Sequence, residues 1–247
     1  MAVNRQKGFT LVELMIGMAI SLIIMAGAVY VFSETSKASL YEIRAARAME
    51  QARSILQGIS NDVRRAGYRG HASRYADPAG LNEHDSTSGS EVTTVRVYDA
   101  SGSLMADGAT GSCILFSYNI NDSTSGAVNW SNEVFGYRYD SGSNTVKTLK
   151  SSSSGNDGSD LCLASLGSWE SVSESEVLEI LGFEVTKDEV CYDLNASGAE
   201  CSGTPSKAAY VRDVVVSISG AAQSTGGEVF TFHIQNTIDL PNVGLEL

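Results

Sequence analysis

The sequence has few of the residues on which most catalytic and metal sites depend. Among its 247 residues there are only three histidines, His71, His84 and His233, which lie far apart, and four cysteines without a CxxC pair. The GxSxG, HExxH, GxGxxG and Walker motifs are also missing. From these absences we expect no enzymatic activity, no metal site and no cofactor.

Basic residues are scarce in the larger, C-terminal part of the chain. Residues 1–70 hold nine Lys or Arg and five Asp or Glu, a net charge of +4. Residues 71–247 hold eight basic residues against twenty-four acidic ones, a net charge of −16. Because contacts to phosphates need clustered Lys and Arg, we predict that nucleic acid is not a partner.

Formal charge is almost absent from Phe9 to Phe32, where Glu13 is the only charged residue. The part from Leu14 to Phe32 corresponds to roughly 28 Å of helix, which matches the hydrocarbon thickness of a bilayer. Arg5 and Lys7 precede it, and basic flanks stay on the cytoplasmic side. We therefore predict one inner-membrane span over residues 9–32, with the C-terminal part in the periplasm.

Two other interpretations of this segment are open. An N-terminal apolar run is typical of a removable secretory signal, and Ala26-Gly27-Ala28 would supply a cleavage site that makes Val29 the first mature residue. A plain, uncleaved signal anchor is the other interpretation. Against secretory cleavage, the apolar run continues beyond Ala28, and Glu13 lies where signal peptides normally carry no acid.

Glu13 is unusual because an ionised carboxylate in a spanning helix is costly unless it is paired. The segment Lys7-Gly8-Phe9-Thr10-Leu11-Val12-Glu13 resembles the processing site of type IV prepilins. The resemblance implies that prepilin peptidase cuts after Gly8 and that Phe9 becomes the N-methylated first residue. We expect Glu13 to pair with the amino terminus on Phe9 of a neighbouring subunit, since lipid has a low dielectric. Gly17 and Ser21, one turn apart, would allow a neighbouring helix to approach closely.

The helix is predicted to continue beyond the membrane, because no proline occurs between Glu34 and Arg65 and helix-forming residues are abundant there. Apolar residues recur at steps of three and four, which indicates one amphipathic face. Its members are Leu40, Ile43, Met49, Ala52, Ile55, Leu56, Ile59 and Val63. The amphipathic half is expected to cover residues 33–67, with Arg64 and Arg65 in its last turn and Gly67 and Gly70 as its stop.

A second resemblance concerns the end of this helix. Asp62 to Tyr68 reads Asp-x-Arg-x-Ala-Gly-Tyr, which is similar to a signature of minor pilins of the PilW type. The resemblance implies a fimbrial protein of twitching motility that initiates type IV pilus assembly, with other minor pilins and the major pilin, at or near the filament tip. A minor pseudopilin of a type II secretion system, a tip adhesin and a DNA-uptake pilin are the alternatives.

After residue 71 the helical period gives way to short alternating segments. We predict strands at 92–98, 113–118, 134–139, 145–149, 178–186, 210–219 and 229–238. Because no helical period separates them, they are expected to form an antiparallel sheet on which the helix packs, with their aromatic residues in the core rather than on a carbohydrate-binding face. The predicted fold is therefore α+β and pilin-like, with a cytoplasmic leader over residues 1–8 and a β domain over residues 71–247.

The four cysteines all follow the membrane segment, and an even number on the exported side predicts two disulfides, although three connectivities are open. Cys191 and Cys201 enclose a short loop, so we pair them and leave Cys113 with Cys162. The segment from Asp193 to Glu200 matches the first half of a calcium loop, but its twelfth position is Thr204 instead of glutamate. A polar turn is therefore the favoured interpretation of that loop.

Overall fold

The computed structural model describes residues 8–66, 95–118, 134–152, 161–163, 167–195, 199–201, 208–222, 229–240 and 245–246. The chain divides into two compact units, Met1–Ala46 and Arg47–Leu247. The first unit contains the N-terminal part of a long helix. The second contains the C-terminal part of the same helix and the β-strands.

Helix α1 extends over Leu11–Val63, 53 residues. After Val63 the amides of Arg65 and Ala66 bond to the carbonyls of Asp62 and Val63, at 3.0 and 2.9 Å. These are three-residue bonds, which tighten the chain into a turn and end the α-helical pattern. The prediction that Arg64 and Arg65 lie in the last helical turn was therefore wrong. Gly67 and Gly70, the predicted stop, lie outside the described residues.

The helix buries one face within the second unit. Its buried residues are Ala48, Ala52, Ile55, Leu56, Ile59, Ser60 and Val63. Most of them belong to the predicted apolar face. Leu40 and Ile43, in the first unit, are instead 56% and 49% exposed, and Ala48 is the first residue of α1 that is fully buried.

The strands form two antiparallel sheets where the sequence predicted one. The first sheet has the order β1-β3-β4-β5-β6. Its strands are β1 (Arg96–Tyr98), β3 (Cys113–Ser117), β4 (Val134–Asp140), β5 (Thr145–Ser152) and β6 (Gly167–Ser171). The second sheet has the order β10-β9-β7-β2, with β8 on β7 and β11 on β9. Its strands are β2 (Thr110–Gly111), β7 (Glu179–Asp193), β8 (Ala199–Glu200), β9 (Ala208–Ala222), β10 (Phe230–Asp239) and β11 (Leu245–Glu246).

The helix and both sheets share one hydrophobic core. It joins the buried face of α1 to Ile114 and Phe116 of the first sheet and to Val216 and Ile218 of the second. Alternate residues of β3 point the other way, and Cys113 and Leu115 belong to a smaller cluster on the outer face of the first sheet. These contacts confirm the α+β, pilin-like fold class, a long N-terminal helix packed on antiparallel sheets.

The turn of the β4–β5 hairpin is stabilised by hydrogen bonds to the side chain of Asp140. Asp140 accepts hydrogen bonds from the amide of Gly142 and the hydroxyl of Ser143, both at 3.0 Å. Asn144 completes the turn with a positive φ of 51°, a conformation that asparagine tolerates better than most residues. The ion pair with Lys147, together with these hydrogen bonds, lowers the pKa of Asp140 to about 2.

Candidate anchoring and assembly site

The start of α1 brings the predicted processing residues together with a helix cap. Gly8 and Phe9 precede the helix, and the side chain of Phe9 is 87% exposed. The amide and the hydroxyl of Thr10 both donate to Oε2 of Glu13, at 2.9 and 3.0 Å. The amide of Glu13 donates back to Oγ1 of Thr10 at 3.3 Å. This reciprocal pair is a capping box, with Thr10 as the N-cap residue.

The capping box gives Glu13 a local role that sequence reasoning missed. The signal was present, because Thr10-Leu11-Val12-Glu13 has the Thr-x-x-Glu spacing that precedes an apolar helix. An acid in the first turn also compensates the positive end of the helix dipole. Glu13 is therefore satisfied within a single chain. Its pairing with Phe9 of a neighbouring subunit stays a prediction.

Glu13, Gly17 and Ser21 lie at four-residue steps on one face of the helix, and Phe9 lies just before its start. They line a shallow concave surface there, together with Leu14, Met18 and Leu22. The hydroxyl of Ser21 donates to the carbonyl of Gly17 at 2.7 Å. Apart from the neighbouring backbone of α1, no described atom lies within 4 Å of a Cβ added at Gly17. This face offers apolar surface and one carboxylate, and both are exposed within the described part of the chain.

The apolar residues that follow are exposed almost without interruption. Large side chains such as Ile16, Ile23 and Phe32 are between 55% and 74% exposed. Among the described residues, α1 is the one helix long and apolar enough to cross a membrane, and none of its most apolar segment is buried. Burying this surface in lipid or against other helices removes it from water, which is strongly favourable.

At the other end of α1, two polar side chains attach the helix to both sheets. The hydroxyl of Tyr137, on β4, donates to Oδ2 of Asp62 at 2.5 Å. Nδ2 of Asn236, on β10, donates to the hydroxyl of Ser60 at 2.7 Å. Burial of Tyr137, followed by its hydrogen bond to Asp62, raises the pKa of the phenol well above its ordinary value. Asp62, the first residue of the PilW-like signature, therefore makes a specific contact in the fold.

Two disulfides stabilise the second unit, and each joins the cysteines that we pair from the sequence. Cys113, on β3, is bonded to Cys162, which lies 49 residues later and belongs to the outer cluster of the first sheet. Cys191, on β7, is bonded to Cys201, ten residues later. Beside this second bond, the amide of Cys201 donates to the carbonyl of Cys191 at 3.0 Å.

The loop considered for calcium is described only in part. Oδ1 of Asp193 accepts the amide of Asn195 at 2.8 Å, which is an Asx-turn. Residues 196–198 and Thr204 lie outside the described residues. Of the residues the structure does describe, no three His, Cys, Asp or Glu lie close enough together to hold a metal ion.

The class of the protein follows from its N-terminus and its fold. An exposed apolar helix begins at Leu11, two residues after Phe9, and packs, further along, on antiparallel sheets. Residues 3–29 match the prokaryotic N-terminal methylation motif, so the protein is a type IV prepilin-like protein. Residues 42–240 match PpdB, prepilin peptidase-dependent protein B, and the chain belongs to this family. The members of this family are pilin-type structural proteins.

These matches confirm the resemblance to type IV prepilins that rests on Lys7 to Glu13. The two matched regions together cover most of the apolar segment 9–32 and nearly all of the strands. No curated protein and no solved structure gives a match to the chain.

Proposed function

We propose that the chain is a minor pilin that helps to initiate type IV pilus assembly and sits at or near the filament tip. Prepilin peptidase removes residues 1–8, and Phe9 is then N-methylated. Residues 9–32 cross the inner membrane and later enter the filament core, and the helix continues beyond them to Val63. Residues 71–247 form a periplasmic domain without catalytic activity. Other minor pilins and the major pilin are the partners.

One observation carries this proposal. The methylation motif covers the first part of an apolar helical segment that no described part of the chain buries. A helix with this surface needs lipid before assembly and other helices after it. A catalytic domain would need only the membrane anchor, whereas a pilin also needs the carboxylate of Glu13 on that surface.

The proposal is tested by separating the two roles of Glu13. Glu13→Ala removes both the helix cap and the charge, Glu13→Gln keeps a hydrogen-bond acceptor but removes the charge, and Thr10→Ala removes the cap but keeps the charge. If Glu13 pairs with Phe9 of a neighbour, both Glu13 variants are processed normally but enter filaments at about a tenth of the wild-type level or less, which corresponds to one lost pairing. Thr10→Ala assembles almost normally.

The measurement is the amount of mature chain in sheared filaments, divided by the amount in membranes, with the mature N-terminus identified by mass spectrometry. Normal incorporation of both Glu13 variants would refute the charge-pairing role. A mature chain that begins at Val29 would refute the whole proposal, because the apolar helix would then be a discarded signal. Co-purification with secretion-system subunits in place of pilus subunits would support the minor pseudopilin alternative.

A further inference from the structure

Strand β10 forms the outer edge of the second sheet. It pairs with β9 over ten consecutive residues, from Phe230 to Asp239, without a shift of register. This edge is about 33 Å long at the usual rise of a strand. Nowhere in the described part of the chain does a segment pair with its outer side.

The backbone groups on that outer side can be assigned. The amide of Leu240 donates to the carbonyl of Arg212 at 3.0 Å, one position beyond the pair Asp239–Asp213. Bonded and non-bonded pairs alternate in an antiparallel ladder, so the even-numbered residues of β10 bond to β9. The odd-numbered residues direct their N–H and C=O groups away from the sheet. They are Thr231, His233, Gln235, Thr237 and Asp239, and their side chains are exposed.

The other described edges are short or covered. On the open side of β7, the amide of Gly108 bonds to the carbonyl of Lys187 at 2.8 Å and the amide of Ile180 bonds to the carbonyl of Asn144 at 3.0 Å. Strands β2 and β8 pair with further parts of β7. The edge strands of the first sheet, β1 and β6, have three and five residues. By contrast, β10 has no lysine, proline or bulge, which are the usual protections of a long edge.

The side chains on and around β10 indicate which side-chain pattern a strand added at this edge would have. On the inner face, Phe230, Phe232 and Ile234 pack against the core but remain partly exposed, whereas Ile238 is buried. Apolar side chains of an added strand would cover these three residues. A strand whose residues alternate between apolar and polar is therefore the matching ligand.

The outer face adds a charge requirement. Asp188, Asp213 and Asp239 are directly opposite one another on β7, β9 and β10. Within the described residues, none of the three carboxylates forms an ion pair, and burial together with Asp239 and Asp188 raises the pKa of Asp213. A basic residue on the next strand, opposite Asp239, would neutralise the end of this row.

We propose that the outer edge of β10 binds, as an added strand, an extended segment of a different pilin-like subunit, with alternating apolar residues and a Lys or Arg opposite Asp239. The same edge of a second copy does not fit, because β10 contains no Lys or Arg. This inference rests on the proposed function, since it assumes that the chain assembles with other pilin subunits.

The test compares variants of the full-length chain, co-produced with the other subunits of its assembly and purified in detergent. Thr237→Pro removes an outward amide, a change that edge strands tolerate, and Thr237→Val keeps that amide as the matched control. Asp239→Lys reverses the charge at the predicted contact. We expect Thr237→Pro and Asp239→Lys to lower the retained partner about tenfold, and Thr237→Val to leave it unchanged. Thermal unfolding of each variant shows whether it is folded.

A photo-crosslinking side chain at Gln235 identifies the occupant of the edge. A crosslink to an extended segment of a different pilin subunit supports the inference. A crosslink to another segment of this chain or to a second copy overturns it, and so does equal retention of the partner by Thr237→Pro, Asp239→Lys and wild type. If wild type retains no pilin subunit at all, the proposed function fails together with the inference.

Discussion

Glu13 has one role within the chain, as part of the helix cap with Thr10, and a second, proposed role between subunits. Within the chain, the carboxylate of Glu13 accepts two hydrogen bonds from Thr10 and caps the helix. Between subunits, the same carboxylate is the proposed partner of an amino terminus. The cap and the proposed pairing therefore use the same carboxylate, in the first turn of α1.

The contact between Asp62 and Tyr137 is the residue-scale link between α1 and the first sheet. Because the hydroxyl of Tyr137 donates to a carboxylate in a partly buried site, we expect Tyr137→Phe to lower the free energy of unfolding by about 1–2 kcal/mol. Asp62→Asn should also destabilise the fold. Urea unfolding of both single variants and the double variant measures the coupling, and additive losses would show that the two residues do not interact.

The row of carboxylates predicts an unusual response to pH. The raised pKa of Asp213 means that the folded state prefers the protonated form. Its contribution to stability is therefore present below the ordinary pKa near 3.8 and is lost as the pH rises through the raised value. At pH 7, Asp213→Asn should raise the free energy of unfolding by about 0.5 kcal/mol, since it removes repulsion between neighbouring strands.

Urea unfolding at pH 7 and at about pH 3.5 checks this prediction, because the gain should disappear in acid. Asp107→Asn is the matched control. Asp107 forms an ion pair with Lys187 at 2.9 Å, so its loss should not stabilise the fold. A gain of equal size at both pH values would contradict the role of ionisation at Asp213.

Single strands were easier to predict than their arrangement. The seven strands predicted from the sequence have counterparts, and β7 and β9 are longer than expected, at 15 residues each. Strand β6 was missed because Gly-Ser-Trp-Glu-Ser has weak strand propensity. Its pairing with β5, which places Trp169 opposite Leu149, forms this strand through a contact that is distant in sequence.

The two disulfides should differ in their contribution to stability. A crosslink stabilises mainly by restricting the unfolded chain, and the restriction grows with the length of the closed loop. Replacing Cys113 and Cys162 with alanine should cost about 4 kcal/mol, and replacing Cys191 and Cys201 about 3 kcal/mol, for separations of 49 and 10 residues. Chemical unfolding of the two double variants checks the order, which a larger loss from the 191–201 pair would contradict.

At the scale of the whole molecule, the two units differ in whether their apolar side chains are buried or exposed. The second unit contains the shared core of α1 and both sheets, whereas the exposed apolar segment belongs to the first. This division separates the residues that form the hydrophobic core from the apolar helical segment that is exposed. It also predicts that the fold does not depend on the membrane segment.

A fragment that begins near residue 35 should therefore be soluble and unfold at nearly the same temperature as the full chain in detergent. The residues removed include none of the buried residues of α1, which begin at Ala48. A shorter fragment beginning at residue 56 also loses Ala48, Ala52 and Ile55 and should be destabilised by more than about 3 kcal/mol. Calorimetry of both fragments tests this, and equal stability would contradict the assigned role of the helix in the core.

The sequence by itself determined the N-terminal methylation motif, the long apolar helix and the α+β class, because these depend on neighbouring residues and on hydrophobic period. Only the tertiary structure decided that the strands divide into two sheets, that Asp62 and Ser60 bind Tyr137 and Asn236, and that Asp188, Asp213 and Asp239 form a row that ends on strand β10. The physical reason is strand register. It sets which side chains meet across a sheet, and it depends on pairing between segments far apart in the chain.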